Sequence, residues 1–450
     1  MARALTVQRP AASRSSLPRS FVMWTLAHGI QRKGLQYAAR RGDLTALLTI
    51  DPATVAEPFD AYERLRPAGP LHRGPVVAAT VDHACANQIL RSEDFGTGAG
   101  KAELPPLLRG VFERVADPYA LSPVDPPSLL ALDPPEHNRH RKLVSRAFTA
   151  RRVAALHQRI EQVAEDLLDT IEADQGSGST FDLVDRYAAR LPVAVIADLL
   201  GVPEEEHDWL LDWGNRAAIT LDPGLTFRQF RDAESALRTM HHWFDDHVAR
   251  LRRDPGDDLL SQLATGDDGL TPTELRAIGL LVLGAGFETT VNLIGNAVVD
   301  LSAHPDQRDL AVSEPERWPD VVEEVLRWDS PVQLTMRSAL RDTIVAGAEV
   351  AAGDAVLVLL GGANRDPQVF DDPQSFDITR SNAAEHLAFS AGIHFCLGAS
   401  LARLEATTAL RALYTRFPDL TVTGDPVRRP TRVLHGYEHV PVRARALDTA

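Results

Sequence analysis

The chain has 450 residues, of which 44% are hydrophobic and 24% charged, a composition typical of a folded protein with a large core. Its formal charge of −15 excludes the overall basic field that non-specific nucleic-acid binding needs. Its two cysteines cannot form a disulfide framework, which favours a reducing compartment, and we expect no apolar run of the roughly 20 residues that span a bilayer.

The N-terminus is a basic arm, because no acidic residue precedes Asp43 and apolar side chains lie between the cations. Three interpretations stay open: a loosely packed extension, an arm lying on an anionic membrane surface, or a transit peptide. We predict a basic extension over residues 1–50, partly disordered or membrane-associated, and a single domain over residues 51–450 of a cytoplasmic protein.

Helical periodicity dominates the rest of the chain. Short strand-like segments occur near residues 76–81, 342–345, 355–360 and 421–423, with a hairpin turn at 346–348. The pattern predicts a mainly α (α+β) architecture with a small β region. Helices are expected at about 44–49, 57–67, 82–91, 136–147, 151–173, 185–200, 204–219, 226–253, 272–303, 306–313, 318–328 and 399–416.

A Gly- and Pro-rich stretch over residues 95–133 predicts a lid or binding loop. The helix that follows it carries His137 and Arg141 four residues apart, and therefore on one face. The same helix bears a local basic patch, which is either an ordinary solvated face or a docking surface for an acidic partner. The patch consists of Arg139, Lys142 and Arg146.

A long helix is predicted to begin at Thr271, with proline next and Glu274 completing a capping box, and to end near Ala303. Its middle is apolar but contains Glu288, whose burial is unfavourable without a partner. Thr289 is placed to bond back to the Ala285 carbonyl. Two interpretations stay open: a satisfied polar group in a packed helix, or a proton path.

Two further sequence features contain candidate functional residues. Glu324 and Arg327 share a helix face at i, i+3, which is usually a solvated ion pair. Cys396 lies in a loop between glycines, just before a helix. Such a cysteine is either inert and buried or a thiolate stabilised by backbone amides.

The segment Phe389-x-x-Gly392-x-His394-x-Cys396-x-Gly398 resembles the haem-ligand loop of the cytochrome P450 family, whose cysteine sulfur is the axial iron ligand. The run 285–290 (Ala-Gly-Phe-Glu-Thr-Thr) resembles that family's oxygen-activation motif. The resemblance extends from about residue 51 to the C-terminus. One departure is Ser390, which stands where this loop usually has glycine, and serine tolerates fewer backbone conformations.

The resemblance implies a P450-like fold and a role for each matching residue. Glu288 and Thr289 would deliver protons to the dioxygen being reduced, with Thr290 in support. Glu324, Arg327 and Arg380 would form a structural network that holds the cysteine loop. The implied haem-contacting residues are His137, Arg141, Arg337 and His394 at the propionates, with Ala285, Gly286, Phe389, Gly398 and the ligand Cys396.

The implied function is a haem-thiolate monooxygenase that uses haem b (iron protoporphyrin IX), dioxygen and electrons from a separate, ferredoxin-like partner at the basic patch. Its substrate would be an apolar small molecule facing residues 95–132, Leu283, Phe287 and residues 332–335. Two alternatives remain: a peroxide-dependent peroxygenase of the same fold, which would not need Glu288 and Thr289, and a non-catalytic haem-binding sensor.

Overall fold

The computed structural model describes residues 15–75, 77–97, 110, 114, 117–175 and 180–444. Helices dominate and the sheets are small, which confirms the predicted architecture. The α-helices are α1 (Leu17–Trp24), α2 (Ile30–Arg40), α3 (Leu44–Ile50), α4 (Pro52–Ala56), α5 (Phe59–Leu65), α6 (His83–Arg91), α7 (Glu136–Ser145), α8 (Ala150–Ala155), α9 (His157–Gln175), α10 (Arg190–Leu199), α11 (His207–Ala217), α12 (Phe227–Arg253), α13 (Leu259–Thr265), α14 (Pro272–Ala303), α15 (Pro305–Ser313), α16 (Trp318–Trp328), α17 (Leu360–Ala363) and α18 (Ala399–Arg416).

The strands form one five-stranded sheet, in the order β1-β2-β8-β5-β3, and three smaller sheets. In the large sheet β2 and β8 run parallel and the other neighbours antiparallel. The strands are β1 (His72–Arg73), β2 (Ala78–Thr80), β3 (Phe95–Gly96), β4 (Thr180–Asp182), β5 (Thr335–Ala339), β6 (Thr343–Val345), β7 (Ala348–Val350), β8 (Ala355–Val358), β9 (Thr421–Val422), β10 (Val427–Arg428), β11 (Tyr437–His439) and β12 (Pro441–Arg443).

Helix α14 runs through the principal hydrophobic core and begins with the predicted capping box, in which Thr271 and Glu274 bond each other's backbone N–H groups. Among the described residues it is the one helix that is long and apolar enough to cross a membrane, contrary to our expectation that no such segment exists. However, 61% of its apolar window is buried inside the protein. Core packing therefore explains its composition.

The N-terminal arm contains a helix that periodicity did not predict. Helix α1, a π-helical turn over Thr25–Gly29 and α2 follow one another without a break. Trp24 Nε1 donates to the Leu225 carbonyl at 2.8 Å, and Arg32 Nη1 donates to the Gly224 carbonyl at 2.8 Å. The helix is therefore anchored on the segment between α11 and α12, and this tertiary contact stabilises what local sequence does not.

Two other sequence predictions need correction. The helix expected over 151–173 is two helices, because at Leu156 the chain makes a tighter turn, with its N–H bonded to the Val153 carbonyl. Strand β5 was not predicted, although it pairs with both β3 and β8. Of the expected lid, residues 98–109, 111–113 and 115–116 lie outside the described residues.

Candidate active site

The cysteine loop has an unusual backbone between Phe389 and Gly398. The Cys396 N–H donates to the Phe389 carbonyl at 3.0 Å. Ser390 and Gly392 both have positive φ angles, 62° and 67°. A Cβ on Gly392 would lie 2.3 Å from the Leu90 carbonyl oxygen, so only glycine fits there. Ser390 adopts the positive φ of this loop, although its Cβ causes steric strain that glycine would avoid.

Cys396 lies in a recess of the protein that is open to solvent. Its side chain is exposed to solvent, yet burial by the surrounding protein raises the pKa of its thiol. The Gly398 N–H, Arg141 and Arg403 act in the opposite direction, because each favours negative charge on the sulfur. A thiol in a recess of this kind ionises readily when a metal ion binds to it.

Two arginines and two histidines from three elements converge beside this loop. The rings of His137, on α7, and His394 have centroids 4.4 Å apart. Arg141 Nη2 donates to the Phe395 carbonyl at 2.7 Å, and Arg337 projects from β5 and is buried. Burial, and then repulsion from Arg337, His137 and Arg141, lowers the pKa of His394 to about 3.

The polar groups of this cluster have few partners among the described residues. Nε2 of His137 and Nε2 of His394 are buried without a hydrogen-bond partner among the described residues. Burial lowers the pKa of Arg337 to about 10, and the Asp133 carboxylate opposes that shift. Two arginine charges beside histidines whose ring nitrogens lack partners indicate a site for an anionic group. The set fits the two carboxylates of a haem whose iron would face Cys396.

One face of α14 is open although the helix lies in the core. Ala285 is exposed, and Leu281 and Thr289, four residues before and after it, are half-buried. Thr289 Oγ1 donates to the Ala285 carbonyl at 3.0 Å, which confirms the predicted back-bond. Gly286, which we expected to contact haem, also packs closely against a neighbouring helix. A Cβ there would lie 2.6 Å from Ile196 Cδ1, so packing against α10 requires the glycine.

Glu288 and Thr290 point away from that open face. Both are buried, and Glu288 Oε1 forms an ion pair with Arg429 Nη1 at 2.9 Å. Burial raises the pKa of Glu288, and Arg429 opposes that shift. The acid is therefore partnered, as its burial demands, but its partner lies 141 positions later and was not predicted.

Leu283 and Phe287, which we expected to face substrate, are in the packed core. The Phe287 ring occupies the space beside Gly214, where a Cβ would lie 2.0 Å from ring atom Cζ. The helical period that opens Ala285 turns both of these side chains toward α11 and its neighbours. Of the expected substrate-facing range 332–335, Val332, Leu334 and Thr335 are half-buried.

The three residues of the expected network meet in the protein interior. Arg327 Nη2 and Nε lie 2.7 Å and 2.8 Å from the two oxygens of Glu324, and both side chains are fully buried. Arg380 Nε lies 3.5 Å from Glu324 Oε2. Arg327 also donates to the carbonyls of Asn364, Pro373 and Ser375. The group thus ties α16 to the segment before the cysteine loop.

The basic patch is partly neutralised. Arg139 pairs with Glu274, the capping residue of α14, and Arg146 Nη1 lies 3.6 Å from Asp268. Lys142 is exposed and forms no ion pair within the part of the chain that the structure describes. The sequence did not indicate a role for Arg403. Its Cζ lies 4.6 Å from the centroid of the Phe389 ring, and its positive charge lies beside Cys396.

Comparison with known proteins identifies the relatives of this chain. The sequence profile described as "Cytochrome P450" matches residues 117–314 and 319–433. The putative cytochrome P450 140 of Mycobacterium bovis is 47% identical over 425 residues, covering 93% of this chain and 96% of the relative. The 6-deoxyerythronolide B hydroxylase of Saccharopolyspora erythraea is 43% identical over 318 residues, covering 69% and 76%.

A solved structure shares the fold. P450BioI, in complex with an acyl carrier protein ligated to hexadec-9Z-enoic acid, superposes with a TM-score of 0.80 and 32% identity. The match covers 87% of this chain and 100% of that chain.

The strained residue of the cysteine loop gives a test of this geometry. We expect Ser390→Gly to stabilise the protein by about 0.5–1 kcal/mol, because glycine adopts a positive φ without the Cβ clash. Urea unfolding measures the change, and Ser400→Gly, in the first turn of α18, is the control that should instead lose stability. A destabilising Ser390→Gly would show that the loop does not have this backbone.

Proposed function

The chain belongs to the cytochrome P450 family and is therefore a haem-dependent monooxygenase; we propose that it inserts one atom of dioxygen into an apolar small-molecule substrate, with Cys396 as the ligand of the haem iron. When bound, the haem supplies the redox chemistry that splits dioxygen with two electrons and two protons. The observation that carries the proposal is the convergence of two arginines and two histidines beside the Cys396 loop, each histidine with a buried ring nitrogen that has no hydrogen-bond partner among the described residues. Residues 51–450 would form the catalytic unit.

The remaining residues have complementary roles. The Gly398 N–H, Arg141 and Arg403 stabilise negative charge on the Cys396 sulfur. His137, Arg141, Arg337 and His394 hold the haem carboxylates, while Phe389 and Gly398 shape the loop and Ala285 leaves room on α14. Thr289 and Glu288 move protons to the dioxygen being reduced, with Thr290 packed behind them.

We propose a large, apolar substrate of the polyketide or fatty-acyl class. The Saccharopolyspora relative is named a 6-deoxyerythronolide B hydroxylase, a Bacillus subtilis relative is named a polyketide biosynthesis cytochrome P450, and P450BioI is bound to an acyl carrier protein ligated with hexadec-9Z-enoic acid. The open face of α14 presents the Ala285 methyl group and the half-buried Leu281, which suits an apolar molecule.

The thiolate assignment is tested by a reduced carbon monoxide difference spectrum. We expect Cys396→Ala to abolish the thiolate-type Soret band, because no other ligand supplies that electron donation. The control Cys85→Ala should keep the band, since Cys85 is buried and burial raises the pKa of its thiol to about 11. A band that survives Cys396→Ala contradicts the assignment. Turnover that is faster with peroxide than with an electron donor would instead favour a peroxygenase.

We propose that a small acidic ferredoxin docks on the basic patch and supplies the electrons. Helix α7 carries the patch and also contacts the cysteine loop, through Arg141 and the Phe395 carbonyl. A partner there would sit close to Cys396. Since Arg139 and Arg146 are offset by carboxylates, Lys142 would contribute most of the unpaired positive charge.

Charge reversal tests this surface. We expect Lys142→Glu to slow electron transfer from a reduced [2Fe–2S] ferredoxin several-fold at low salt, and the loss to shrink at high salt as charges are screened. Arg253→Glu, at the exposed end of α12, is the control with the same charge change. Stopped-flow reduction under carbon monoxide measures the rate. An equal effect of both substitutions contradicts docking at the patch.

We also propose that this cytoplasmic protein binds anionic membrane surfaces through its N-terminal helix. Four large apolar side chains on it are more than half exposed: Leu17 (63%), Phe21 (53%), Ile30 (64%) and Tyr37 (59%). Lys33, Arg40 and Arg41 lie exposed among them, and no acidic residue precedes Asp43. Exposed apolar side chains interspersed with cations are typical of a segment that binds an anionic membrane surface.

Vesicle sedimentation tests the membrane proposal. We expect co-sedimentation with phosphatidylglycerol vesicles but not with phosphatidylcholine vesicles, and a decrease of about 5-fold in partitioning for each of Lys33→Gln and Arg40→Gln. The control Val427→Ser removes an exposed apolar side chain elsewhere and should change nothing. Equal binding to both lipids, or none, contradicts the proposal.

A further inference from the structure

The acid of the proton path is held by a residue from the far end of the chain. Arg429 follows β10, and its Nη1 lies 2.9 Å from Glu288 Oε1. Both side chains are at least nine-tenths buried. Neither Glu288 oxygen receives a well-aligned hydrogen bond from any described residue. The contact is thus an ion pair that leaves the carboxylate lone pairs available to water or a hydroxyl group.

The guanidinium of Arg429 is fixed by two separate elements. Its Nε donates to the Tyr437 carbonyl at 3.1 Å, and its backbone N–H donates to the Gly436 carbonyl at 3.0 Å. Its Nη1 donates to Asn215 Oδ1, on α11, at 2.9 Å. The C-terminal hairpin, formed by the antiparallel strands β10 and β11, and helix α11 therefore fix the position of the positive charge next to Glu288.

Among the described residues, Arg429 is the charged group that forms an ion pair with Glu288. The neighbouring Arg428 is directed to Asp329 at 3.2 Å, and Asn215 is neutral. Burial favours the neutral acid, whereas Arg429 favours the carboxylate. A single cation consequently controls both the direction and the charge of the acid, because an uncompensated buried carboxylate would take up a proton.

Building on the function proposed above, we propose that Arg429 is a positioning residue that holds Glu288 as a carboxylate off the open face of α14, so that proton supply to Thr289 depends on contacts made by the C-terminal hairpin and α11. Glu288 takes a proton from water and passes it to the Thr289 hydroxyl, which gives its own proton onward. The acid returns to Arg429 as a carboxylate. No electrons move in this relay.

The first test does not depend on turnover. Burial raises the folded-state pKa of Glu288 above its unfolded value, so the stability from its proton is present at low pH and lost as pH rises through the folded pKa. Arg429→Gln widens this window. Between the folded-state pKa of Glu288 in wild type and its higher value in the variant, the unfolding equilibrium constant of the holoenzyme variant should rise by up to tenfold per pH unit, whereas the contribution of Glu288 to the wild-type slope has ended.

Matched variants make that measurement specific. Arg429→Gln/Glu288→Gln should lose the extra slope, Arg429→Lys should restore most of the wild-type slope, and Arg443→Gln, which changes an exposed side chain on β12, should match wild type. The same slope in Arg429→Gln as in wild type, or a slope that persists in the double variant, overturns the proposal. Denaturant unfolding at a series of pH values, followed by tryptophan fluorescence, provides the data.

The second test examines the relay. Arg429→Gln should keep the carbon monoxide band but decrease product formed per electron pair on the order of tenfold, with more peroxide released. Its solvent isotope effect should exceed that of wild type, and Arg429→Lys should recover much of the yield. Unchanged yield and isotope effect overturn the role of Arg429. Absence of dioxygen-dependent turnover in wild type itself would contradict the proposed function instead, while the pH slopes still decide the ion pair.

Discussion

The convergence of Arg141 and Arg337 with the histidines His137 and His394 in one largely buried region is the constraint on which the site depends. A helix, a strand and a loop place these side chains together, and Asp133 favours positive charge on His137 and Arg337. Such an arrangement is unfavourable unless other contacts fix the three elements or an anion binds between them. Both conditions fit a site that is assembled in advance for a dianionic group.

The fixing contacts lie on the other side of the cysteine loop. Glu324 and Arg327 are fully buried, and together they bond backbone groups between Asn364 and Asp377. Because removal of one partner would leave a buried charge uncompensated, such a pair holds its surroundings in one arrangement. The strained backbone at Ser390 is tolerated in the same region because neighbouring contacts determine the loop.

Helix α14 meets two opposing structural requirements. It must pack as a core helix, which explains Gly286 against Ile196 and Phe287 beside Gly214. It must also present an open face, which Ala285 and Thr289 provide. A helix separates these tasks because residues four apart share a face, whereas adjacent residues do not. Glu288 and Thr289 are therefore adjacent in sequence but diverge in space, and the acid needs a partner of its own.

The sequence by itself determined the local features. Each of these features lies within a few consecutive residues: the capping box of α14, the spacing of Glu324 and Arg327, and the glycines around Cys396. The order of these motifs along the chain indicated the family. Tertiary structure alone decided the rest: the docking of the N-terminal helix on residues 224–225, the ion pair of Glu288 with Arg429, and the packing reason for Gly286. Helical spacing is fixed by backbone hydrogen bonds between near neighbours. A contact between residues 141 positions apart depends instead on how complete elements pack, and no local pattern encodes that.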